Sequence, residues 1–469
     1  MWLKRPLVVL ALLGLSPGLL AAASDSGVED HRQIEGPFFD GPEVTEVCLE
    51  CHEEAAHDFM RNSHWTWSTP QQVAGHGLID TGKRHAVNNF CYGIASNLSK
   101  CTECHAGYGW KNNAFDFSDP VNIDCLVCHD TTGEYRRIGG DGGVADPTVD
   151  LEKIAQQVGA PGRANCGQCH FYGGGAHAVK HGDLEGSLLQ AGVELDVHMA
   201  SDGENFACQR CHKTEAHQIP GTSMAASPGG SVTVSCASCH EAPQHENALL
   251  NLHTESVACQ TCHIPRYAKG EPTKVFWDWS QAGGDMQVLL GEFGKPVYSP
   301  YKGRFVWDRD LVPSYAWSDG RAGVYRWGEP IDPAQEVKLN WPLGERSNSL
   351  ARIRPFKLHR ARQIYDAQYS YLINPHLVPG GGFVDHLDWD RAARVGMAAR
   401  GLPYSGHYDF VDTVMYWRIN HMVAPAEQAL GCRDCHGRGA TRMDWQALGY
   451  QGDPLYVRGQ SRNPARGEQ

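Results

Sequence analysis

The pattern Cys-x-x-Cys-His occurs eight times: Cys48, Cys51 and His52; Cys101, Cys104 and His105; Cys125, Cys128 and His129; Cys166, Cys169 and His170; Cys208, Cys211 and His212; Cys236, Cys239 and His240; Cys259, Cys262 and His263; Cys432, Cys435 and His436. Cysteines at i and i+3 project from one face of a helical turn, where they match the two vinyl groups of a porphyrin. The histidine that follows turns under the iron, so each copy reads as a c-type haem attachment site. Zinc knuckles and disulfide frameworks also use close cysteine pairs, but neither requires a histidine directly after the second cysteine. The expectation is eight covalently bound haem c groups.

Eight six-coordinate haems need eight further axial donors, and sixteen histidines lie outside the motifs. Those with suggestive surroundings are His64, His181, His198, His217, His245, His253 and His421. They number seven, which leaves one iron without a distal histidine and open to substrate, as a catalytic zinc keeps an open position. The others, among them His31, His57, His76, His85, His177, His359, His376, His386 and His407, stand as alternative ligands or as proton donors. A second remainder is Cys91 in NNFCYGIASNLSKCTECH, the one cysteine of seventeen outside the motifs.

The elements that must hold these groups look thin. The chain has 469 residues, of which 41% are hydrophobic, with 52 glycines and 26 prolines. Flat apolar haem faces are expected to supply the missing core. The expected fold is mainly α with much irregular structure, a multihaem cytochrome c fold organised around eight haems, with C-terminal helices near 386–400 and 408–431. Residues 1–23 read as a cleaved secretory signal peptide: Lys4 and Arg5, an apolar run from Leu7, then AAA before Ser24. This predicts export to a bacterial periplasm, and an odd cysteine in an exported chain is worth treating as reactive. The expected organisation beyond the leader is a haem-rich body at 24–265 carrying motifs one to seven, a haem-free wrapping segment at 266–385 and a C-terminal helical segment at 386–469 with motif eight. No later segment is long and apolar enough to span a bilayer, and no nucleic-acid partner is indicated.

The chain resembles the octahaem tetrathionate reductase family of periplasmic cytochromes over essentially all of its length after the leader. The resemblance rests on the clustering of the eight motifs, on NNFC ten residues before the second motif, and on CGQCHFYGGGAHAVKHGDL. It rests also on DVHMASDGENFACQRCHKTEAH, LNLHTESVACQTCHIP and NHMVAPAEQALGCRDCHGRGATRMDWQALGY. It implies that the haem on the second motif is the active site and that a lysine from elsewhere in the chain ligates its iron. The matching position is Lys180, with Asn88 and Cys91 matching residues beside the same haem. Displacement of His105 by Lys180 is the favoured arrangement, with Lys180 opposite His105 as the other.

The implied activity is two-electron reduction of tetrathionate to thiosulfate, with Cys91 as a candidate nucleophile, and nitrite and hydroxylamine as further substrates. The expected electron source is a donor protein of the periplasm or membrane. Absence of Cys-x-x-Cys-Lys argues against pentahaem nitrite reductases. A hydroxylamine oxidoreductase or nitrite reductase-like enzyme, or a non-enzymatic electron carrier, are the alternatives. A formal net charge of −13 repels anions at long range, so local cations must attract such a substrate. The basic run Arg352, Arg354, Lys357, Arg360, Arg362 and the pair Lys83, Arg84 are the candidates, and Lys274 and Asp278 are others near the site.

Overall fold

The computed structural model describes residues 30–457 except 74, 222, 225–233, 243 and 379; the leader expected at 1–23 lies outside the described residues. Helices are short: α1 (Gly41–Phe59), α2 (Ser63–Thr66), α3 (Leu98–Cys101), α4 (Leu126–His129), α5 (Leu151–Gln156), α6 (Arg163–His170), α7 (Ala248–His253), α8 (Cys259–His263), α9 (Phe383–His386), α10 (Trp389–Arg400) and α11 (Cys432–Cys435). Most of them are little more than the turn that a haem motif needs. The long exception, α1, is started by Asp40, whose carboxylate accepts from the Glu43 amide at 3.1 Å, with Pro42 in its first turn. Its helical geometry breaks at the motif histidine His52 (φ −114°, ψ 30°). Among the described residues no helix is long and apolar enough to cross a membrane.

The strands are β1 (Thr69–Val73), β2 (Gly77–Thr81), β3 (Thr273–Asp278), β4 (Leu289–Leu290), β5 (Pro296–Ser299), β6 (Gly303–Asp308), β7 (Ser314–Ser318), β8 (Ala322–Val324), β9 (Val337–Lys338), β10 (Asn340–Pro342), β11 (Arg352–Asp366), β12 (Tyr371–Leu372) and β13 (Tyr408–Arg418). β1 pairs with β2 and β8 with β10, while the rest form one sheet in the order β4-β5-β6-β3-β11-β13-β9, with β7 and β12 also on β11. The long strand β11 runs antiparallel to β13 from Phe356 opposite Arg418 to Asp366 opposite Tyr408, and parallel to β3. The multihaem cytochrome fold holds, but the regular structure of residues 273–418 is mainly strand, interrupted by α9 and α10, and the haem-motif regions carry the short helices and irregular chain.

Two expectations change here. The helix expected over 408–431 is strand β13 followed by irregular chain, because YDFVDTVMYWR is rich in β-branched and aromatic residues and buries Val411, Thr413, Met415 and Trp417 at a spacing of two. The helix near 386–400 is present as α10, capped by Asp388 and ended by Gly401 in the left-handed region (φ 74°). The boundary at 385 divides a single sheet, since β11 lies before it and β13 after.

Buried apolar residues fall into several clusters rather than one. The largest joins the sheet, α10 and the NNFC segment. Helix α10 presses its small face, Ala392, Ala393 and Gly396, onto the chain at 374–376, which holds the segment just after NNFC: the Leu377 amide donates to Asn97 Oδ1 at 2.7 Å and Ser96 Oγ to the Pro375 carbonyl at 3.0 Å. A Cβ on Gly396 would lie 1.9 Å from the Asn374 carbonyl oxygen, a fixed backbone atom. Gly396→Ala is therefore expected to destabilise the holoprotein by about 1–3 kcal/mol, read as a lower urea midpoint; an unshifted midpoint would contradict this packing.

Candidate haem sites and the Cys91 pocket

Seven of the eight motif histidines face another histidine ring. The centroid separations are 6.0 Å for His31 and His52, 6.0 Å for His64 and His170, 6.3 Å for His129 and His217, and 6.1 Å for His198 and His240. They are 6.4 Å for His212 and His421, 6.1 Å for His245 and His263, and 6.4 Å for His253 and His436. A metal bound to two imidazoles at about 2.0–2.1 Å, with each ring centre roughly 1.2 Å behind its nitrogen, sets the centroids at most about 6.4–6.6 Å apart, and somewhat closer where the rings are not collinear. The spacing fits an iron between each pair.

The other ring nitrogen is tied down in many of these rings. Nδ1 of His129 donates to the Gly159 carbonyl at 2.8 Å, that of His212 to Pro220 at 2.8 Å and that of His253 to Leu249 at 3.0 Å. His64 uses Asn62 Oδ1 at 2.9 Å, His421 uses Asp183 at 3.1 Å and His436 uses Asp453 at 2.6 Å. A proton held on Nδ1 leaves the Nε2 lone pair for a metal, which is the usual outer support of a histidine ligand. Cysteines of different motifs also touch: Cys48 and Cys125, Cys104 and Cys169, Cys166 and Cys208, Cys236 and Cys259. Attachment segments one and three, two and four, four and five, and six and seven are thus packed side by side.

Of the distal histidines expected from sequence, His64, His198, His217, His245, His253 and His421 each face a motif histidine. His181 does not: its ring packs edge-on to Trp417 at 5.3 Å, in surroundings that keep it neutral. The place expected for it is taken by His31, on the short turn His31–Gln33. Its local sequence gives no ligand signal beyond lying one helix ahead of the first motif.

The second motif is the exception. His105 is fully buried in a cage of Trp65, Trp67, Trp110, Phe115 and Phe117. Its Nε2 donates to the Trp65 carbonyl at 2.7 Å and its Nδ1 is buried without a partner. Burial pulls its pKa down to about 3. Lys83 and Arg84 lie over this cage, Lys83 Nζ being 3.9 Å from the Trp67 ring and Arg84 4.7 Å from Phe117.

Cys91 and Lys180 flank the Gly173–Gly174–Gly175 turn. A Cβ on Gly173 would meet Lys180 Cδ at 3.1 Å, and one on Gly175 would meet Cys91 Sγ at 3.4 Å. Lys180 Nζ stands 4.6 Å from the Trp417 ring, within electrostatic range of the Cys104 side chain of the second motif, and desolvation pulls the amine down to about 8. A lysine ligates only as the neutral amine, so this shift and the nearby second motif fit the ligand role.

One face of β11 carries both loops. Lys357 donates to the carbonyls of Val179 (2.7 Å) and Lys180 (3.2 Å) and to Thr273 Oγ1 (2.5 Å). Two residues on, His359 Nδ1 donates to Asn89 Oδ1 at 2.8 Å while Asn89 Nδ2 donates back to the His359 carbonyl at 2.7 Å. Gln363 Nε2 donates to the Asn88 carbonyl at 3.0 Å. Asn88 then closes the turn that carries the thiol, accepting from the Cys91 amide at 2.8 Å and donating to the Tyr92 carbonyl at 2.9 Å.

Burial pushes the Cys91 thiol above its ordinary range, and the charges of Lys302 and Lys274 oppose part of that rise. Lys274 is itself buried against the Trp277 and Phe305 rings at 3.6 and 3.8 Å. Desolvation pulls the amines of Lys274 and Lys357 well below their ordinary range, so Lys302, exposed at the surface, is the first of the charges that favour the Cys91 thiolate. Two cations of the basic run in β11 are matched by carboxylates, Arg360 by Glu336 at 2.8 Å and Arg362 by Asp412 at 3.4 Å, while Arg352 and Arg354 act on Cys259 of the seventh motif. Asp278 caps its own turn through Ser280.

A family model described as "Cytochrome c bacterial" matches residues 274–439. A solved octaheme cytochrome c from Shewanella oneidensis is 50% identical, covers 92% of this chain and 98% of its own, and superposes with a TM-score of 0.87. An uncharacterized protein of Archaeoglobus fulgidus is 24% identical over 42% of this chain and 82% of its own. These likenesses and the motifs together make covalently bound haem c the cofactor, and the chain belongs to the octahaem tetrathionate reductase family of multihaem c-type cytochromes.

Proposed function

We propose that this protein is a periplasmic octahaem reductase of tetrathionate, with Cys91 as nucleophile beside the haem of the second motif. The observation that carries the reading is the contrast between the seven opposed histidine pairs and His105, whose Nε2 is engaged by Trp65. Seven haems would be held by paired histidines: His31 with His52, His64 with His170, His217 with His129, His421 with His212, His198 with His240, His245 with His263, and His253 with His436. The eighth would be held by Cys101 and Cys104, with Lys180 as its donor in place of His105. When bound, the haems supply one-electron transfer and store the two electrons that each turnover consumes.

The chain's own residues do the rest. Asn88 fixes the Cys91 turn, and the Lys302 charge favours an approaching dianion. The Cys91 thiolate attacks an inner sulfur of tetrathionate, forming a new S–S bond as the central bond breaks, and thiosulfate leaves with that electron pair. Two electrons then cleave the Cys91 S–S bond, restoring the thiolate and releasing the second thiosulfate. The donor is a protein of the periplasm or membrane. A haem without a distal histidine also suits nitrite and hydroxylamine, and Cys91 is not required for those.

Three outcomes are expected. Cys91→Ala lowers tetrathionate turnover with reduced viologen by at least about a hundredfold with haem content retained; unchanged turnover would end the covalent reading. Because burial holds the Cys91 thiol above its ordinary range, the thiolate fraction rises as pH rises. Tetrathionate kcat/KM should climb by roughly tenfold per pH unit across neutral pH, and a flat profile would contradict a thiolate nucleophile. Lys357→Met leaves the Val179 and Lys180 carbonyls unpaired. It should cost about 2–4 kcal/mol in urea unfolding and alter the ferric spectrum of one haem, and a spectrum identical to wild type would remove Lys357 from the positioning of Lys180.

A further inference from the structure

A second cationic site lies behind the NNFC segment, where a cavity of about 130 Å³ is bounded by β2, β8, β10 and the end of α10. Its walls include His85, Val87, Arg326, Trp327, Asn340 and Arg400. The polar groups on this wall are dominated by unmatched donors. Arg400 is half-buried 5.2 Å from the Trp327 ring, and desolvation lowers its pKa with no carboxylate opposing the shift. Among the described residues neither the Arg400 nor the Arg326 guanidinium forms an ion pair. The Trp327 indole N–H is buried without a partner. Asn340, fully buried, uses its Oδ1 to accept from the Tyr416 amide at 2.7 Å and leaves its Nδ2 donors unpartnered.

A buried cation and buried N–H groups left unmatched each carry a desolvation cost that an anion would relieve. Asp80 is the carboxylate on this wall; it is exposed, and its charge acts on His85. The cavity adjoins the Cys91 loop on both flanks. Val87 lines it directly before Asn88, and the Trp327 ring backs onto Gly93, where an added Cβ would sit 2.6 Å from Trp327 Cζ2.

We propose that this cavity is a second binding site for a divalent sulfur oxyanion, held by Arg400, Arg326, Trp327 Nε1 and Asn340 Nδ2 one residue layer from Cys91. Its place beside the reacting loop suits a waiting site for the substrate dianion or a way station for product thiosulfate. The identity of the anion rests on the tetrathionate reading; the presence of the site does not.

The test uses selenate, a divalent tetrahedral anion with an anomalous signal, soaked into crystals of the oxidised holoprotein. A selenium peak between Arg400, Trp327 Nε1 and Asn340 is expected in wild type and should vanish in Arg400→Gln. Sulfate binding by calorimetry should weaken by about tenfold in that variant, with thiosulfate and tetrathionate competing for the same site. Arg326→Gln is the second variant should Arg400→Gln fail to incorporate haem. Selenate found only elsewhere, or occupying the cavity equally in both variants, would overturn the proposal. None of these readouts needs turnover, so loss of the tetrathionate activity reading would leave this result standing, and the reverse.

Discussion

The rest of this molecule depends on pairs of imidazole rings held about one iron apart. Each pair clamps two pieces of chain that have little else in common. His64 reaches the fourth motif, His217 the third, and His421 and His253 tie the C-terminal third to motifs five and eight. A metal bridge of this kind fixes distance and direction together, which scattered apolar contacts cannot do in a chain whose core is broken into separate clusters. With the proposed ligation, short helices and long irregular connections are tolerable because the paired histidines and the apolar haems would take over the work of a continuous protein core.

The sheet solves a different problem. The Cys91 and Lys180 loops come from separate parts of the chain and must be held to a fraction of an ångström to act on one small anion. Strand β11 does this with alternate residues on one face, Lys357 on the Lys180 loop, His359 on Asn89 and Gln363 on Asn88. A long, doubly flanked strand is a stiffer platform than the haem-bearing turns, and it explains why a haem-free stretch of this length interrupts the motifs.

Sequence made the haem chemistry legible because a five-residue motif contains both anchors and a ligand. Distal histidines were harder, since only the partner in space distinguishes a ligand from an ordinary ring. His198 follows Asp196 by two residues, a local acid that sequence shows, whereas the Asp183 that supports His421 lies far away in the chain. His31 has no such surroundings, and His181, next to the lysine that the resemblance singled out, has its ring against Trp417 instead of a motif histidine. The sheet was missed for a related reason. Its strands are rich in Trp, Tyr and Arg and read as wrapping chain, and YDFVDTVMYWR carries the period of two only once its partner β11 shows which side is buried. The cage around His105 was not readable, because its five aromatic residues come from two stretches, 65–67 and 110–117, that only the fold brings onto one ring.

The central claim is a ligand inventory: seven irons with histidine on both faces and one, at the second motif, bound by Lys180 with His105 withdrawn. Magnetic circular dichroism of the fully oxidised holoprotein, recorded beside Lys180→Ala and His105→Ala, tests it most directly. The account predicts seven unchanged bis-histidine signatures in all three proteins, with the eighth signature altered by Lys180→Ala and preserved in His105→Ala. Eight bis-histidine signatures in the wild type, or loss of the eighth in His105→Ala with none in Lys180→Ala, would contradict it.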